Sequence, residues 1–200
     1  LLSISPTPAF DTTKPMSLRA LVKFSPLGCV GMFLLGGVFS AQFGMASVYG
    51  TQAGLSIAQI STFVAMFFVG AVILQYPIGW ISDRMDRRLL IVAVSAIGGG
   101  GSILGLVMGH DFTVLLVSAF VVGGMSNPLY SLLIAHTNDF LEPEDMAAAS
   151  GGMLFLNGLG AVAGPLITGW AMQGFGPFAF WLVLAVTFGA VALYALYRMA

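Results

Sequence analysis

Six apolar runs, each long enough to cross a bilayer, dominate this chain, and none carries Asp, Glu, Lys or Arg near its middle. A hydrocarbon core about 30 Å thick takes roughly 20 helical residues. The runs read as Pro26–Tyr49, Ile57–Trp80, Leu89–Met108, Thr113–Ala135, Met146–Met172 and Phe178–Leu196. Between them stand turn residues or charges: residues 50–56, 81–88, 109–112, 136–145 and 173–177. No run alternates with period two, which argues against a transmembrane barrel. Hydrophobic residues make up 58% of the sequence, more than a soluble domain of this size can hide. The predicted fold is therefore an all-α membrane protein of six transmembrane helices, with the lipid bilayer as its principal partner.

Charge sets the expected direction of insertion. All seven basic residues fall on one side of this helix count: Lys14, Arg19 and Lys23 before the first span, Arg84, Arg87 and Arg88 after the second, and Arg198 after the last. Such a split predicts a multi-pass protein of the cell membrane with both ends of this segment cytoplasmic. A net charge of −1 and the absence of a basic stripe leave no case for nucleic acid. The single cysteine, Cys29, excludes an intrachain disulfide or a cysteine metal cluster, and no cofactor or metal is implied. Residues 1–24, rich in Pro, Ser and Thr, read as a polar cytoplasmic linker ahead of a six-helix bundle over residues 25–200. A linker there is expected of a chain taken from within a larger protein.

The densest charge lies in Gly79-Trp80-Ile81-Ser82-Asp83-Arg84-Met85-Asp86-Arg87-Arg88, wedged between the second and third runs. This stretch resembles the loop signature of the major facilitator superfamily, Gly-x-Leu-Ala-Asp-Arg-x-Gly-Arg-Lys/Arg, found between the second and third helices of each six-helix half. Gly79, Asp83, Arg84, Arg87 and Arg88 match it, while Asp86 stands where the family has Gly. Asp tolerates left-handed backbone better than most residues, so a turn of that kind could survive there. The resemblance implies two inverted three-helix repeats and a gate. Asp83 would meet the positive end of a neighbouring helix, and the arginines would bridge to acids on adjacent helix ends. Asp139 and Glu142, in the loop after the fourth run, are the candidate gate partners. Pro143 is expected in the first turn of the fifth helix, with Glu144 and Asp145 at its positive end. A plain topology signal is the alternative reading of the arginines.

A second motif lies in the fifth run. Gly151, Gly160, Gly164, Pro165 and Gly169 resemble the Gly-Pro pattern of the superfamily's proton-driven exporters, with Thr168 replacing one Gly. Gly160 and Gly164 share a face and allow a second helix to approach closely, and Pro165 can bend the helix. Asn157, on the same face, reads as an interhelical hydrogen-bonding residue.

The resemblance also places the first and fourth helices of a half along a central cavity. Uncharged polar residues there make Gln42, Asn127 and Tyr130 the candidates for contacting a small-molecule substrate. Interhelical hydrogen bonding is the competing role for each.

The expected function is transport of a small solute by alternating access, with the other six-helix half of a twelve-helix permease as partner. The linker and the lack of an arginine in the fourth helix favour the C-terminal half; the Gly-Pro motif points the other way. The motifs are similar to those of bacterial efflux or sugar-like permeases. A non-transporting membrane scaffold or sensor is the alternative. An intramembrane serine protease is disfavoured because neither His110 nor His136 lies deep and no Gly-x-Ser-Gly occurs.

Overall fold

The structure is a computed structural model and describes residues 16–199 of the 200. Most of the expected linker lies outside those residues. The part inside is helical: α1 spans Leu18–Phe24, with Ser17 accepting a hydrogen bond from the Ala20 amide at its start. Its Leu21 is buried, so this short segment docks on the bundle rather than only leading to it.

The first span is compound. α2 (Pro26–Ser40) runs into a π-helical turn (Ala41–Met45) and then into α3 (Ala46–Gln52). The remaining spans are α4 (Ile57–Ser82), α5 (Arg87–Met108), α6 (Phe112–Asn138), α7 (Met146–Phe175) and α8 (Ala179–Tyr197). All six spans are long and apolar enough to cross a membrane. Ser25 caps α2, with Pro26 at the first helical position where no amide hydrogen is needed. Ser56 and Gln59 form a reciprocal capping box on α4, and Asp111 accepts from two amides at the start of α6. Gly176, at φ 98°, supplies the backbone conformation that ends α7.

Packing follows a pattern that repeats. α2 lies along α7, α4 lies along α6, and α5 sits between α6 and α8. Exchanging the first three spans for the last three turns the α2–α7 contact into the α6–α4 contact. Both contacts are made by glycine. A methyl group on Gly36 would lie 1.9 Å from the Asn157 carbonyl oxygen, and one on Gly160 would lie 1.8 Å from that of Phe33. In the other pair, Gly70 stands against the Phe120 carbonyl and Gly123 against that of Phe67, each at 2.0 Å by the same measure. The dipeptides Gly36-Gly37 and Gly123-Gly124 thus occupy equivalent places in two inverted three-helix repeats.

The large side chains gather at the end of the bundle away from the arginines. Tyr49, Phe63, Phe67, Phe180 and Trp181 form a continuous aromatic cluster, with Phe180 and Trp181 fully buried at the start of α8. Gly105 makes room for the indole, since a methyl there would fall 2.6 Å from it. This cluster anchors α3, α4 and α8 and leaves the opposite end to polar chemistry.

Candidate functional site

At the arginine end, α4 finishes at Ser82, and Asp83 is its C-terminal capping residue. The Asp83 side chain is exposed, and its carboxylate has no hydrogen-bond or ion-pair partner among the described residues. Arg84 folds back, donating to the Trp80 carbonyl at 2.8 Å with its guanidinium 3.9 Å above the Trp80 ring. Asp86 caps α5 by accepting from the Arg88 amide at 2.8 Å. Its φ of −59° is ordinary, so the left-handed turn expected at this departure from the family pattern does not form. An acid here serves the helix start instead.

Arg87 forms an ion pair with Asp139, the residue closing α6. Both side chains are partly exposed, so the pair contributes at most about 1 kcal/mol by itself. Its importance is geometric, because it ties the start of α5 to the end of α6. Arg88 lies over the Phe140 ring at 5.6 Å. Glu142 makes no ion pair among the described residues. α7 starts at Met146, where the fifth apolar run begins, but Pro143 lies in the preceding turn rather than in the helix, and the Asp145 side chain makes no capping bond.

Two hollows open beside these charges. One of about 490 Å³ lies between α4 and α6 and is lined in part by Tyr76, Gly79, Asp83, Arg87, Pro128 and Ser131. The other, of about 350 Å³, is lined by Asp83, Asp86, Arg87, Arg88, His136 and Asp139, among others. Gly79 has no neighbour within 4 Å of where a side chain would begin, so it keeps the first hollow open rather than admitting another helix of this bundle.

The three cavity candidates separate. Gln42 sits in the π-helical turn, fully buried, and accepts from the Ser126 hydroxyl at 3.1 Å; its own amide nitrogen has no partner among the described residues. It joins the π-helical turn to α6 inside the bundle, which is the interhelical hydrogen-bonding role. Asn127 and Tyr130 are only partly buried. Asn127 donates at 3.4 Å to the Gly123 carbonyl of its own helix, and Tyr130 tilts against Phe39. Sequence reasoning missed the aromatics beside them. Phe39 stacks on Phe43, and Phe43 stacks on Phe68 at 4.8 Å, extending Tyr130 into a row across α2, the π-turn and α4. The four-residue spacing of Phe39 and Phe43 was the available signal.

The α7 glycines also divide. Gly160 and Gly164 press on α2, with a methyl on Gly164 falling 2.1 Å from the Ser40 hydroxyl and 2.7 Å from the Gly37 carbonyl oxygen. Asn157 donates to the Met32 carbonyl at 3.1 Å across the same seam. Gly169 has only ordinary contact with Met45, and Gly151 has nothing within 4 Å. Thr168, where the exporter pattern has Gly, is wholly buried, and α7 continues through Pro165 to Phe175.

Residues 28–200 match the Major Facilitator Superfamily, and the chain belongs to that family. It is 25% identical to the uncharacterized MFS-type transporter YfkF of Bacillus subtilis, over 94% of this chain and 48% of YfkF. It is also 25% identical to the uncharacterized MFS-type transporter YcaD of Escherichia coli O139:H28, over 84% of this chain and 44% of YcaD. The chain thus spans about half the length of the curated relatives it matches. Two solved structures share the fold at 15% identity. The POT family transporter PepTSo superposes with a TM-score of 0.74, over 92% of this chain and 38% of PepTSo. The Escherichia coli fucose:proton symporter FucP superposes at 0.71, over 91% of this chain and 46% of FucP. The six apolar helices and the family together define an integral, multi-pass membrane protein.

Proposed function

We propose that this chain is one six-helix half, the C-terminal one, of a twelve-helix secondary transporter that moves a small solute by alternating access. The observation that carries the reading is the arginine loop. Within a chain of this family, it leaves Asp83 exposed and without a partner among the described residues while Arg87 is held on Asp139. A carboxylate at the end of α4 is placed to meet the positive N-terminus of a helix in the other half. That contact closes the arginine side, which the distribution of basic residues makes cytoplasmic, in a bacterial inner membrane. The Arg87–Asp139 pair holds the loop in the position from which Asp83 reaches across. The half-open face with Asn127, Tyr130 and the Phe39–Phe43–Phe68 row supplies amide hydrogen bonds beside aromatic surface. This suits an organic solute with both apolar and polar parts, in an efflux or sugar-like permease.

The test is flux through the full-length protein in vesicles. Asp83→Asn keeps size and removes charge, so membrane expression should stay near normal while transport falls and accessibility of the arginine end rises. Undiminished transport by Asp83→Asn would reduce the loop to a topology signal.

A further inference from the structure

At the arginine end, a small pocket of about 90 Å³ lies among the starts of α2 and α5 and the ends of α6 and α8. We infer that it binds the phosphate of an anionic phospholipid headgroup, held by Arg88, Arg198 and His136. Arg88 and Arg198 approach from different helices, and neither has a carboxylate partner among the described residues. No acidic residue lines the pocket. His136 is only 6% exposed, lines it from α6, and has no hydrogen-bond partner among the described residues. Its ring nitrogens are free to bond a group that enters the pocket. The floor is the first turn of α2 (Ser25, Pro26 and Leu27), where the helix dipole favours an anion.

Free phosphate and a lipid headgroup offer the same oxygens, but the surroundings favour lipid. Phe24 lines the pocket and is exposed, as are Leu18 and Val22 on α1. α1 also carries Arg19 and Lys23, both exposed. A short helix with exposed apolar and basic side chains fits the boundary between acyl chains and headgroups. The pocket holds about three waters' worth of space at ~30 Å³ each, room for a phosphate group and not for a whole headgroup sugar. The glycerol and acyl chains then lie outside, along Phe24. This pocket shares Arg88 and His136 with the hollow beside Asp83 but does not include Asp83 itself, and it does not depend on what the protein transports.

The full-length protein in mild detergent is titrated with phosphatidylglycerol, phosphatidylcholine and inorganic phosphate, following retained lipid by native mass spectrometry and the unfolding temperature. Phosphatidylglycerol should bind about tenfold more tightly than phosphatidylcholine, whose choline offsets its phosphate charge. Arg198→Gln, at an exposed helix end where the fold survives, should weaken phosphatidylglycerol about tenfold, whereas Arg198→Lys should retain most of the binding. Inorganic phosphate that competes only at far higher concentration assigns the site to lipid. Competition at equal concentration keeps the anion site and overturns its assignment to lipid. Unchanged phosphatidylglycerol affinity in both Arg198→Gln and Arg88→Gln, or equal affinity for the two lipids, overturns the site itself.

Discussion

Gly36 and Gly160 face one another across the α2–α7 seam, so that a methyl group on either would fall within 2.0 Å of a main-chain carbonyl on the other helix. Without a hydrophobic drive between helices in lipid, such close approach is a main source of association. Gly160→Ala should therefore lower the yield of folded protein in mild detergent. The companion Gly189→Ala, with nothing within 4 Å, should be neutral. Thermal stability by fluorescence size-exclusion checks both, and equal tolerance would contradict the seam.

The Arg87–Asp139 pair makes a charge-reversal test possible. Asp139→Arg alone places two guanidinium groups together and should reduce flux by several-fold in the full-length protein. Adding Arg87→Asp should restore part of it, because the pair holds the loop by geometry. Stability should change by no more than about 1 kcal/mol in the double variant. Additive losses in a double-mutant cycle would show that the two side chains act apart.

Gln42 and Asn127 should behave differently despite their similar chemistry. Gln42→Leu removes a buried amide whose nitrogen has no partner among the described residues and leaves Ser126 bonded to the Gly123 carbonyl at 3.1 Å. Its expected effect on stability is small, about 1 kcal/mol in either direction, with substrate affinity unchanged. Asn127→Ala should instead raise KM for the transported solute without moving the pH profile, since an amide does not titrate. A shifted affinity in Gln42→Leu alone would reverse the assignment of the two residues.

Topology is open to direct measurement. Reporters placed after Arg88 and after His110 should read opposite sides, with Arg88 cytoplasmic. An external signal at Arg88 would remove both the orientation and the closing role of Asp83.

The span cores were legible because hydropathy over about 20 residues is a strong signal; their ends were not. α4 runs on to Ser82, α6 to Asn138 and α7 to Phe175, since a helix goes on past the apolar stretch until a cap or turn stops it. α1 was missed because seven residues, two of them basic (Arg19 and Lys23), show no usable period. The π-helical turn at Ala41–Met45 is set by packing, and composition does not announce it. Within the first span, Leu35, Val38, Gln42 and Tyr49 lie on one buried face, with Met45 only partly buried. Helical period says which residues point together, not what they point at, and here the face meets the bundle interior. Gly160 and Gly164 were readable from their four-residue spacing, whereas Gly151 matches a motif without any contact to justify it.

Helices that touch main chain to main chain lack the cushion of side chains that lets packed helices slide. At Gly36–Asn157 and Gly70–Phe120, a small axial shift drives carbonyl and Cα atoms into overlap. The bundle is thereby divided into two stiff couples, α2 with α7 and α4 with α6, each bound to move as a solid piece. Compliance is left to the places where contact is made through side chains. The Gln42–Ser126 bridge between the couples is one, and it starts from the π-helical turn, where the first span leaves regular register.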